Sequence, residues 1–234
     1  NKEITVASSA NNSGEILTNS SFSAKDTVNT NKLIAVDKIT VKNLINDGDL
    51  ATNSDLTVDG TLKNTKNIQA NDKILISSSA DNSGDILTNS SFTAKDTKNI
   101  KKIIAKDNIK TKSLENTDTI ATDGSLKVAG NLNNSGNISA VKEIKIDENA
   151  KNTGTILTNS SFSAKDTKTT NKLVAIGEIN TKNLVNEGEL ATKAKLNVDG
   201  SLTNKKNIQA VDNITVSLNV QNDGDILTDA NFSS

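Results

Sequence analysis

The stretch Ile16–Thr27 reads ILTNSSFSAKDT, and it decides the fold because it comes back. It returns as ILTNSSFTAKDT from Ile86 and as ILTNSSFSAKDT from Ile156, and a last copy opens at Ile226. The interval is 70 residues each time. Self-similarity at a fixed interval is the signature of a stacked repeat. Inside each 70 lies a shorter unit, marked Asn-x-Gly-x-Ile/Leu with substitutions at the Gly. Its starts fall at Asn12, Asn29, Asn46, Asn64, Asn82, Asn99, Asn116, Asn134, Asn152, Thr169, Asn186, Asn204 and Asn222, 17 or 18 residues apart.

Within a unit the apolar positions recur with a spacing of two. Four residues after the marker comes Ile or Leu (Ile16, Leu33, Leu50, Ile68, Ile86). Two further on a small residue alternates between Thr and Ala (Thr18, Ala35, Thr52, Ala70, Thr88). Ten after the marker stands a large apolar residue (Phe22, Ile39, Leu56, Ile74, Phe92), and two beyond it Ala24, Val41, Val58, Ile76 and Ala94. A closing apolar residue follows in most copies, such as Leu44 and Leu62. A period of two is that of a strand, and no helical stripe persists. Each unit is therefore two or three short strands separated by turns. One unit buries almost nothing, whereas stacked units bury a continuous column. Volume is traded within a rung: Phe22, Phe92 and Phe162 are each followed two residues later by Ala, where Ile or Leu is usually followed by Val or Ile. Thr111 and Thr181 depart from that rule. A narrow, densely packed core demands such compensation.

Composition narrows the function. The 234 residues carry 27 basic and 28 acidic side chains, and only 33% are apolar, against about 45–50% in an average globular chain. There are four Phe and no Trp, Tyr, Met, Cys, His or Pro. Every basic residue is Lys. Without Cys or His there is no zinc site of the usual kind, no Ser-His-Asp or Cys-His catalysis and no disulfide framework. A net charge of −1 with almost no aromatic side chains argues against nucleic-acid binding. No apolar run approaches the roughly 20 residues of a membrane-spanning helix, so no membrane insertion is expected.

The marker Asn reads as a structural ladder, with side-chain amides stacked rung over rung at Asn12, Asn29, Asn46, Asn64, Asn82, Asn99, Asn116, Asn134, Asn152, Asn186, Asn204 and Asn222. Asn and the Gly two residues later both suit a left-handed turn, although Lys66, Lys101 and Lys206 replace that Gly.

The unit resembles the filamentous haemagglutinin repeat, most clearly over Asn186–Asn204, NEGELATKAKLNVDGSLTN. That family comprises very large bacterial exoproteins exported by two-partner secretion, among them adhesins and the stalks of contact-dependent growth inhibition toxins. The resemblance covers essentially the whole chain. It implies a right-handed parallel β-helix of about thirteen rungs, secreted to the bacterial cell surface. An outer-membrane secretion partner, the rest of a parent exoprotein and a cell-surface receptor are the implied partners. The six-residue offsets between inward positions leave a left-handed β-helix open, but the small residue follows the aliphatic one, which favours the right-handed form. Residues 1–234 read as one β-helix segment, and since Ile4, Val6 and Ala10 match Ile74, Ile76 and Ala80, the chain is expected to be an uncapped piece of a longer protein.

Candidate chemistry is periodic throughout. The carboxylate pairs Asp47/Asp49, Glu187/Glu189 and Asp223/Asp225 flank the marker Gly and read as a solvated charge column with alternating signs on adjacent rungs. Lys25–Asp26, Lys95–Asp96 and Lys165–Asp166 read as turn ion pairs. No catalytic, metal or cofactor residue is expected, and the chain is not expected to be an enzyme. The exception to a bland exterior lies five residues after the marker, where Leu17/Ile34, Leu87/Ile104 and Leu157/Val174 place apolar pairs on adjacent rungs. The column reads either as a wall covered by a turn or bent so that these positions are partly buried, or as a sticky stripe for self-association or a partner; on the second reading these six are the candidate partner-contact stripe. The expected role is a rigid shaft that displays adhesive or toxin modules; the alternative is an adhesin whose flank binds a receptor.

Overall fold

A computed structural model describes residues 2–234. The chain is a parallel β-solenoid in two compact units, one of Asn1–Lys112 with Asp118–Ile120, the other of Ser113–Thr117 with Ala121–Ser234. Each turn has three short walls. In the first unit the first wall stacks Glu15–Thr18, Lys32–Ala35, Asp49–Thr52, Asn67–Ala70, Asp85–Thr88 and Lys102–Ala105, in parallel and without slippage. The second wall carries the large residues, with Ile4 paired to Phe22, Phe22 to Ile39, and Ile39 to Leu56. The third carries the closing residue and the marker, as in Ala10–Asn12 and Leu62–Asn64. The second unit repeats this plan from Ser113–Asn116 to Phe232–Ser233.

Among the described residues the chain passes along the second wall fourteen times, seven in each unit. That is one more than the thirteen markers, because Ile4–Val6 precede the first of them. In Phe22–Asn29, Ile39–Asn46, Phe162–Thr169 and Ile179–Asn186 the second and third walls fuse into one strand of eight residues.

The core holds the expected columns. Phe22, Phe92, Phe162, Leu33, Ile39 and Leu50 are fully buried. Beside them runs the amide ladder. The Asn12 amide donates to the Asn29 side-chain oxygen at 2.7 Å, and Asn29 to Asn46, Asn46 to Asn64, Asn64 to Asn82 and Asn82 to Asn99. The first distance is 2.7 Å; Asn46 to Asn64 is 2.8 Å. In the second unit Asn116, Asn134 and Asn152 continue the pattern until Asn152 meets the Thr169 hydroxyl at 3.1 Å, and Asn186, Asn204 and Asn222 resume it. The second amide hydrogen closes the corner: the Asn46 amide nitrogen lies 2.8 Å from the Gly48 carbonyl oxygen and 3.1 Å from that of Asn67. A buried amide is stable only when its donors and acceptor are all used.

The marker glycine serves a different purpose from the one expected. No described residue, Gly included, has a positive φ, so the corner is not a left-handed turn. A Cβ on Gly48 would overlap the Asn31 carbonyl oxygen, and one on Gly84 that of Lys66. Close approach of the preceding rung excludes a side chain there.

The Thr/Ala alternation has a hydrogen-bond cause. The Thr192 hydroxyl donates to the Gly177 carbonyl of the preceding Ala rung at 2.6 Å and accepts the Ala194 amide at 3.1 Å. Thr158 and Thr228 do the same with Lys142 and Asp212. One hydroxyl thus ties two successive corners. Thr111 and Thr181, the exceptions to the volume rule, have partners too: each hydroxyl lies 3.0 Å from that of Thr97 or Thr167. The first super-repeat has Val41 at that place, which leaves the buried Thr27 hydroxyl without a hydrogen bond.

Two substitutions of one kind should therefore act with opposite sign. Thr27→Val removes an unsatisfied buried hydroxyl and should stabilise the protein by about 1 kcal/mol, whereas Thr167→Val breaks a made bond and should destabilise it by about 1 kcal/mol. Chemical denaturation of both variants checks this. Asn46→Ala, which strips two ladder bonds, should cost roughly 2–4 kcal/mol, with loss of amide protection concentrated in the flanking rungs when followed by hydrogen exchange.

Candidate partner-contact wall

The first wall has only two outward side chains per strand, three and five residues after the marker, because those between them point into the core. Leu17 is 58% exposed, Leu87 37% and Leu157 40%. Ile34, Ile104 and Val174 are half-buried beside them. The register sets Leu17 against Ile34, Leu87 against Ile104 and Leu157 against Val174. Each expected pair is thus brought together on an open wall. Around Leu87 and Ile104 the surface forms a shallow depression that also takes in Gln69, Asn89 and Lys106.

Next to the apolar stripe runs the charge column. Glu15 pairs with Lys32 at 3.7 Å, and Asp85 with Lys101 at 3.1 Å and Lys102 at 3.6 Å. The Asn67 amide donates to Asp49 at 2.8 Å. In the second unit Lys172 pairs with Glu189 at 3.2 Å. All these groups are partly exposed, so each pair contributes at most about 1 kcal/mol.

The other candidates resolve into local partners. Asp47 accepts the Thr65 hydroxyl at 2.7 Å while Asp49 accepts Asn67. Glu187 is held by Lys205 at 2.9 Å and Lys168 at 3.2 Å, and Glu189 by Lys172. The members of these two pairs thus engage different groups instead of converging on one ligand. No cluster of three or more metal-ligating side chains occurs among the described residues. No helix there is long and apolar enough to cross a membrane.

The expected Lys-Asp turn pairs are not made at the first and third copies. Lys25–Asp26 and Lys165–Asp166 lie within the eight-residue strands. Asp26 accepts the Asn43 amide and Asp166 the Asn183 amide, both at 2.7 Å, and Lys165 turns to Glu148 at 3.1 Å. Both residues of each pair lie on the outer side, between the inward Ala and Thr where the two walls meet, and Asp26, Asp166 and Lys165 are taken by side chains of the adjacent rung instead.

Sequence reasoning passed over a second exposed apolar set. Val36, Val141, Ile176 and Val211 are each at least 39% exposed. They stand seven residues after the marker, always in Ala rungs, and the column argument that found the stripe finds them too. The chain matches no protein-family model, no curated protein and no solved structure.

The carboxyl of Glu187 is held below the ordinary glutamate value by its hydrogen bonds to Lys205 and then Lys168, and Lys205 is raised in turn. A depressed folded-state value means that the pairing stabilises above the unfolded-state value and is lost as pH falls through the folded one. An NMR titration of Glu187 should show a lowered midpoint. Lys205→Met should move it upward more than Lys168→Met.

Proposed function

We propose that this chain is a segment of the structural shaft of a large secreted bacterial exoprotein, a right-handed β-helix of the filamentous haemagglutinin type that holds adhesive or toxin modules away from the cell. The observation that carries this reading is the interchangeability of the turns. Equivalent residues 70 apart occupy equivalent places, and in both units an amide ladder, interrupted in the second at Thr169, ties one rung to the next. A solenoid of this kind gains length by adding rungs, each stabilised by its neighbours, which suits a spacer. Export by two-partner secretion and residence at the bacterial surface belong to the same proposal and rest on the resemblance of the repeat.

The alternative, an adhesin module, draws on the exposed Leu17, Leu87 and Leu157. The two readings part in one measurement. Fluorescently labelled protein is titrated onto bacterial and epithelial cells and onto an array of glycans. A shaft predicts no saturable binding by this segment. Saturable binding that Leu87→Lys abolishes would sink the shaft reading and establish the adhesin.

A further inference from the structure

On the first wall of the first unit the outward charge column reads Glu15, Lys32, Asp49, Asn67, Asp85, Lys102, and the stripe beside it Leu17, Ile34, Ala51, Gln69, Leu87, Ile104. The strands stack in strict register, so both sets form straight columns with a step of about 4.8 Å. Read against its own reverse, the charge column is self-complementary. Glu15 meets Lys102, Lys32 meets Asp85, and Asp49 meets Asn67. The stripe has the same symmetry: Leu17 meets Ile104, Ile34 meets Leu87, and Ala51 meets Gln69.

We propose that this wall docks face to face on the same wall of a second copy of the chain, with the two solenoid axes antiparallel. The two-fold axis lies along the strand direction, between the strands of Asp49 and Asn67. Rotation about it reverses the order of the rungs and keeps position along each strand, so that charge column faces charge column and stripe faces stripe. The contact is isologous, as closed homodimers require. The ion pairs already present, Glu15–Lys32 and Asp85–Lys102, become opposite edges of squares in which every charge has opposite charges on both sides. Such networks are worth more than isolated surface pairs. Leu17 and Leu87, the most exposed members of the stripe in this unit, gain apolar partners.

The register is protected against slippage. A shift of one rung in one direction sets Glu15 against Asp85 and Asp49 against itself. A shift in the other sets Lys32 against Lys102 and Asp49 against Asp85. Like charges in the wrong register are how a specific interface rejects its neighbours. The face is small, with six strands of four residues. It buries roughly 700 Å² over both copies, at the low end of protein contacts. The dimer is therefore weak and dependent on concentration.

Sedimentation equilibrium of the whole chain should show a monomer–dimer equilibrium with a Kd of roughly 0.1–1 mM. Lys32→Glu and Leu87→Lys should each weaken it at least about tenfold, with circular dichroism and melting unchanged. The decisive protein carries Glu15→Lys, Lys32→Glu, Asp85→Lys and Lys102→Glu together. It should dimerise as the original does, yet the two labelled with a donor and an acceptor fluorophore should not mix, because both facing ion pairs then become pairs of like charge. A chain that stays monomeric at about 2 mM overturns the proposal. So does association that persists in both single variants, and so does free mixing of the inverted and original proteins.

Discussion

Everything in this molecule depends on stacking one rung directly on the last. In a parallel solenoid each backbone amide finds its partner in the neighbouring rung, so strands need no further reason to continue. The corners do, because there the backbone turns away from the ladder and leaves groups that must still be satisfied. The marker Asn solves this from within. Its oxygen accepts from the rung before, one amide hydrogen donates to the rung after, and the other closes the corner. Aligned amide dipoles in a buried file reinforce one another. Thr169 stands in the file as a weaker substitute, its hydroxyl accepting from Asn152.

The same stacking makes the two-rung pair, and not the single rung, the unit of design. Thr hydroxyls of one rung hold the corner carbonyl of the rung before, so Thr is needed in every second rung and Ala suffices between. The corner glycine answers to the same neighbour, since a Cβ on Gly48 or Gly84 would overlap the carbonyl of the rung below. A longer cycle lies above this one. Phe with its neighbouring Ala comes once in each super-repeat, and the next rung fills the remaining space with Val41, Thr111 or Thr181. Where Thr fills it, the extra hydroxyl is partnered by Thr97 or Thr167; where Val fills it, Thr27 is left unpaired.

The exterior is under looser control. Inward columns vary only within a narrow range of volume, whereas outward columns hold Lys, Asp, Leu or Gln at equivalent places. A flat wall with two outward side chains per strand presents its sequence as a ruled surface. Self-complementary order in such a surface costs the fold little.

Much of this was legible in the chain itself. The 17–18-residue period, the spacing of two, the inward columns, the asparagine file and the outward stripe all follow from periodicity, because alternation along a strand sets which side chain faces the core whatever the detailed stacking. The tertiary structure decided the rest. It assigned Gly48 to close approach instead of a left-handed turn, joined two walls into single strands at Phe22–Asn29 and Ile179–Asn186, and sent Asp26 to Asn43 and Lys165 to Glu148 instead of to their sequence neighbours. It also placed two ammonium groups on Glu187. These partners lie 17–19 residues away in the chain and one rung away in space. Their choice depends on the height and offset of one rung over another, which alternation within a strand does not encode.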